Sequence, residues 1–206
     1  MASGSSPRQG DLFAQPLGGA GSAAEDLPLQ EHQLREWQQR LLAFQQPRFA
    51  AVAEGHSVAP GQINLLDGGV VGPAATVERL DPLALAPQHL QFWRWPEARN
   101  SGAALYFVID RPPHLNGSLL LYVGETAQAD RRWKGEHDCK SYLAAYGDAL
   151  QQVGLGGQLS IRFWSDAPTD VRPRRALEQA LIRHWLPPFN KETRGRWATP
   201  FTADPG

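Results

Sequence analysis

The sequence predicts an α+β fold: a small three-stranded, mainly antiparallel sheet flanked by helices, preceded by an N-terminal tail, a helix and an irregular connector. Three observations carry this. Residues 103–110 and 118–124 are nearly continuous apolar runs, the pattern of short strands buried on both faces. Residues 158–164 alternate apolar and polar side chains, the period of a third strand. Before and between these runs, apolar residues return every three or four positions, the spacing of one helix face.

The elements follow in order. Residues 1–30 are rich in Gly, Ala, Ser and Pro without a sustained period, and read as a disordered tail. Leu34, Trp37, Leu41 and Phe44 define a helix over 31–46, which Pro47 should stop. Up to residue 100, turn signals such as Pro60-Gly61 and Asp67-Gly68-Gly69 indicate an irregular connector. The connector closes on Phe92-Trp93-Arg94-Trp95, expected to pack on the next domain, with a base-stacking platform as the alternative. Residues 101–195 form the main domain and 196–206 a C-terminal tail. Within that domain a short helix is expected over 130–134. A longer one over 138–153 places Tyr142, Tyr146, Ala149 and Val153 on one face. The last helix should start at Asp170 as N-cap, hold Pro173 in its first turn and end at Pro187-Pro188.

Composition narrows the function classes. The 206 residues are 42% apolar, enough for one domain of ordinary size, and no run has the eighteen or so apolar residues of a membrane span. No secretory signal pattern opens the chain, and Cys139 is the one cysteine, expected as a packed thiol. A disulfide framework and a multi-cysteine metal site are excluded, and a cytoplasmic location is the expectation. With no secretory signal, the glycosylation sequon Asn116-Gly117-Ser118 carries no weight. The net charge of −1 argues at first against a polyanionic partner, but it is unevenly spread. Residues 1–100 hold ten acids and seven bases, whereas residues 101–206 hold eleven acids and thirteen bases. Residues 171–196 alone carry seven bases against Glu178 and Glu192. Local fields rather than the total steer an anionic polymer, although such a run also suits a solvated helix face.

An ordered set of residues then becomes recognisable. Ala104-Leu105-Tyr106 and Tyr122-Val123-Gly124 come first. Arg132 follows ten residues after Tyr122, Glu178 lies on the last helix, and Asn190 stands twelve residues after Glu178. Over about residues 102–192 the chain resembles the GIY-YIG nuclease domain family. It departs from that pattern at Ala104-Leu105, in the sixteen-residue step from Tyr106 to Tyr122, at Glu125 and at Glu136. Many relatives carry His or Tyr at this last position, and His137 follows it here.

The resemblance implies a divalent-metal-dependent endonuclease hydrolysing DNA phosphodiester bonds, structure-specific or repair-related. Its alternative is a catalytically inactive module that binds nucleic acid or protein. It implies Glu178 as ligand of Mg²⁺ or Mn²⁺, Arg132 on the scissile phosphate, and Tyr122 positioning or deprotonating the attacking water beside Tyr106. Asn190 would hold the helix exit or a phosphate, and His137 would relay a proton. Arg131, Lys134, Arg175 and Lys191 are the expected substrate-binding cations. No membrane contact is expected, and the N-terminal region is open to a protein partner.

The shared site also sets a geometric condition. A tight turn at Asn116-Gly117 would pair Arg111 with Tyr122 and send the two phenols to opposite faces. A common site therefore predicts a longer loop over 111–117, with Tyr106 roughly opposite Tyr122, or else a rescuing β-bulge.

Overall fold

The computed structural model describes residues 29–55, 73–91, 101–129 and 138–201. The expected tail up to residue 28, the aromatic run at 92–95 and the short helix at 130–134 lie outside them. The fold is α+β: a three-stranded antiparallel sheet with four helices packed against it. Helix α1 spans Glu31–Glu54, α2 Pro73–Arg79, α3 Asp138–Gln152 and α4 Val171–Trp185. Strands β1 (Ala104–Asp110), β2 (Leu119–Thr126) and β3 (Leu159–Trp164) stand in the order β2-β1-β3. A 3₁₀ turn over Arg194–Trp197 follows α4.

Central β1 is buried at every position, as its unbroken apolar run requires. Tyr106 and Val108 face one core with Leu34, Trp37 and Leu41 of α1 and Leu143, Tyr146 and Ala149 of α3. Leu105, Phe107 and Ile109 face the other, with Leu177, Leu181 and Trp185 of α4, Val77 of α2, and Phe49 and Val52 of α1. Helix α1 therefore belongs to both cores and wraps the β2 edge of the sheet.

Pro47 lies inside α1 and does not end it, which corrects the expected stop at residue 46. A proline in a helix interior costs about 3 kcal/mol. Beyond it, burial of Phe49 and Val52 recovers roughly 1.5–3 kcal/mol each, so tertiary packing outweighs the local penalty. Pro47 and Ala43, whose carbonyl loses its helical partner, are both solvent-exposed, so water meets that carbonyl.

The connector is likewise less irregular than its turn residues suggest. Helix α2 docks on the second core, and Gln88 exchanges two backbone hydrogen bonds with Ile161 on the outer edge of β3. Residues 196–201 are also not a free tail. Trp197 is buried, donates from Nε1 to the Leu186 carbonyl at 2.7 Å, and meets Phe44 edge-on at 5.5 Å. Phe201 packs against Trp37. Among the described residues no helix is long and apolar enough to cross a membrane.

Eight residues, 111–118, join β1 to β2, so the turn is longer than an Asn-Gly hairpin. The register differs from expectation: Tyr122 opposes Val108, and Tyr106 opposes Gly124. A bulge follows, since Ile109 opposes Leu120 and leaves Leu121 as the extra residue. Tyr106 and Val108 are two residues apart, so both tyrosines lie on the same face.

Candidate functional site

Tyr106 is fully buried and Tyr122 half-buried, and their rings stack with centroids 5.9 Å apart. Gly124 makes this arrangement possible. A Cβ there would stand 2.3 Å from Tyr106 Cζ and 2.4 Å from its hydroxyl. The glycine is thus needed for space, and the Tyr106 ring occupies the place where a side chain would be.

Glu178 lies half-buried on α4, one residue beyond core-facing Leu177. Burial pushes the Tyr122 phenol above its ordinary range. Tyr106, Cys139, a hydrogen bond shared with Tyr106 and the Glu178 carboxylate push it the same way. The Tyr106 phenol and, least of these causes, the Glu178 carboxylate thus both act on Tyr122. At neutral pH the Tyr122 phenol keeps its proton.

The exit of α4 fixes this assembly. Leu186 adopts a left-handed conformation with φ 46° and closes the helix through its N–H to the Ile182 carbonyl. The chain then reaches the open edge of β2, where Phe189 N–H donates to the Leu121 carbonyl at 3.0 Å. Asn190 continues the pairing: Val123 N–H donates to Oδ1 at 3.0 Å, and Nδ2 donates to the Val123 carbonyl at 2.8 Å. Its buried carboxamide acts as a short extra strand, so Asn190 holds the helix exit against the residue next to Tyr122.

Gln45 of α1 does the same one step away. It is fully buried, accepts from Leu120 N–H at 2.8 Å, and donates to the carbonyls of Leu120 and Trp185 at 2.9 and 3.1 Å. Two side-chain amides and one backbone N–H thus cap the β2 edge beside the tyrosines, which also prevents edge-to-edge association.

Glu125 is occupied by two arginines. Arg174 Nε lies 2.7 Å from one carboxylate oxygen and Arg175 Nε 3.3 Å from the other. Burial alone would raise the Glu125 pKa, but the hydrogen bonds and charges of Arg174 and Arg175 outweigh it and hold the group below its usual range. The acid that departs from the family pattern is therefore neutralised. Arg174 is 1% exposed and also donates to the carbonyls of Pro168 and Thr169, locking the start of the helix that carries Glu178. Arg175 is 68% exposed, and Lys191 is exposed on the exit loop.

Of the sequence-predicted residues, Tyr106 and Tyr122 are brought together, Asn190 is fastened to Val123 beside them, and the Glu178 carboxylate adds to the rise of the Tyr122 pKa. Arg131, Arg132, Lys134 and His137 lie outside the described residues. Sequence reasoning missed Arg174 and Gln45 as positioning residues, although periodicity marked both. Arg174 is in step with Leu177, Leu181 and Trp185, and Gln45 with Leu41, Phe49 and Val52. Among the described residues no three His, Cys, Asp or Glu side chains form a metal-binding group. Comparison of the chain with protein-family models, with curated proteins and with solved structures found no match.

Proposed function

We propose that the chain is a divalent-metal-dependent endonuclease that hydrolyses DNA phosphodiester bonds, in the manner of the GIY-YIG nucleases it resembles. One observation carries the reading: Tyr106 and Tyr122 stack on one sheet face, and Glu178 is among the groups that hold the Tyr122 phenol protonated. Glu178 as a single half-buried carboxylate ligand fits a cation that keeps most of its water, as Mg²⁺ does, with Mn²⁺ as its substitute. A closed zinc site would need more protein ligands. Glu178 would hold that ion, whose contribution when bound is charge for the phosphate and a lowered pKa for nearby water.

The chain's own residues do the rest. Tyr122 orients the attacking water through its hydroxyl, and Tyr106 fixes the direction of that hydroxyl by sharing its hydrogen bond. Arg132, ten residues beyond Tyr122, supplies the cation expected at the scissile phosphate. His137 is the candidate proton relay, with Arg131, Lys134, Arg175 and Lys191 as the cations along the DNA. Asn190 keeps the α4 exit seated so that Glu178 and Tyr122 stay in register. Neutralisation of Glu125 by Arg174 and Arg175 supports an anionic substrate at this end of the sheet. A cytoplasmic location, taken from the single cysteine, belongs to the same reading.

The test is incubation of the full chain with plasmid, flapped and branched DNA plus Mg²⁺ or Mn²⁺, beside Glu178→Ala and Tyr122→Phe. Loss of one oriented catalytic group is expected to slow cleavage by about 10²–10³-fold. Cleavage unchanged by both substitutions would refute the site. Binding without cleavage on every substrate would make the chain an inactive binding module.

A further inference from the structure

We propose a second phosphate-binding surface, outside the candidate active site, where α1 meets the 3₁₀ turn, and assign to it the backbone of a nucleic acid. The inference shares with the proposed function the class of polymer bound, and it does not depend on cleavage. Arg48 lies over the Phe44 ring at 3.6 Å from its centroid, and Arg196 lies over the same ring at 5.8 Å. Arg40 reaches the Trp197 carbonyl from the neighbouring turn of α1. The bonds that hold Arg48 go to neutral acceptors, the carbonyls of His184 at 3.0 Å and Phe44 at 2.6 Å. Among the described residues, none of Arg40, Arg48 and Arg196 forms an ion pair with a carboxylate.

This clustering works against electrostatics. Burial lowers the Arg48 pKa, and the charge of Arg196 lowers it further, so the two cations repel across one ring. Among the described residues no acidic side chain is in ion-pair contact with these arginines. An external anion would relieve that repulsion. The cluster consists of guanidinium groups, whose planar forks match phosphate oxygens, and its aromatic support leaves little to immobilise on binding.

Its position selects nucleic acid over an acidic protein. Gln45, one turn before Arg48, is bonded to Leu120 of β2. Arg194 donates to the Tyr142 hydroxyl at 2.8 Å. Tyr142 stacks on Phe189, whose N–H holds Leu121, the residue before Tyr122. The anchor at Leu120 and the candidate catalytic Tyr122 are about 7 Å apart along β2, so one nucleic acid is long enough to meet both the arginines and the candidate site.

The experiment measures affinity of the full chain for fluorescein-labelled duplex DNA by anisotropy, across a salt series, with EDTA in place of metal. It compares the wild type with an Arg40→Gln/Arg196→Gln double variant, both exposed residues outside the catalytic set. The expected result is about tenfold weaker binding and a log K against log salt slope shallower by about 2, with the melting temperature kept. If the double variant melts early, Arg196→Glu alone should weaken binding by a similar factor. Unchanged affinity and slope would overturn the surface and leave the nuclease proposal standing. Weakened binding in a protein that cleaves no DNA would support the surface and overturn the nuclease proposal. Tighter wild-type binding to poly-glutamate than to DNA would overturn the surface in favour of an acidic protein partner.

Discussion

Substituting Gly124 by alanine tests the packing that brings the two tyrosines together. An exposed strand glycine exchanged for alanine usually gains stability, because the unfolded chain loses conformational freedom. Here the opposite sign is expected. The new methyl would stand 2.3 Å from Tyr106 Cζ, 2.4 Å from its oxygen and 2.8 Å from Cε1. All three distances are well inside van der Waals contact. The ring cannot swing into solvent, because Tyr106 is fully buried and also packs on Phe163 at 5.9 Å. Overpacking of this kind costs about 1–3 kcal/mol. In a chain of this length each kcal/mol lowers the melting temperature by about 2–4 °C. The assay is urea denaturation of wild type, Gly124→Ala, Tyr106→Leu and the double variant. If the clash is the cause, shortening Tyr106 should relieve it, giving a coupling of about 1 kcal/mol or more. Gly124→Ala at or above wild-type stability, or strict additivity with Tyr106→Leu, would refute the reasoning.

Three further outcomes follow from the same structure. Gln45→Ala removes three hydrogen bonds from a fully buried amide and orphans backbone groups on β2 and α4, so it should cost about 3 kcal/mol in chemical denaturation. Asp110 is fully buried, and burial raises its pKa although hydrogen bonds from Tyr146, Gln158 and Arg111 oppose the rise. The folded state therefore binds the proton more tightly than the unfolded one. Asp110's contribution is complete below the ordinary carboxylate pKa of about 4 and is lost as pH rises through the raised value. Asp110→Asn should flatten that decline in a melting-temperature series against pH. Glu125 has the opposite sign: its stabilisation is present above its ordinary pKa and is lost as pH falls through the depressed one. Glu125→Gln, which strands the buried Arg174 guanidinium, should cost about 2–3 kcal/mol at neutral pH, and a loss that persists unchanged in acid would refute the ion pair as its origin.

Local pattern determined much of this protein by itself. Apolar runs and alternation located all three strands. Three-and-four spacing located α1 and α3, and the Asp170 start of α4 stands where its N-cap signal put it. The demand that two phenols share a face required either a longer β1–β2 loop or a bulge, and the structure has both. Each of these rests on the period of a chain segment, which a sequence displays directly.

Tertiary structure decided what depends on partners distant in sequence. Pro47 is a stop signal locally, yet α1 continues because Phe49 and Val52 find Trp185 and its neighbours more than a hundred residues away. The register that sets Tyr106 against Gly124 depends on a bulge at Leu121, and no local propensity marks that residue as the extra one. Gln45 and Arg174 have no role legible in the sequence until the β2 edge and Glu125 give their hydrogen bonds somewhere to go. A buried polar side chain is defined by its acceptor, and the acceptor's place is fixed by the fold.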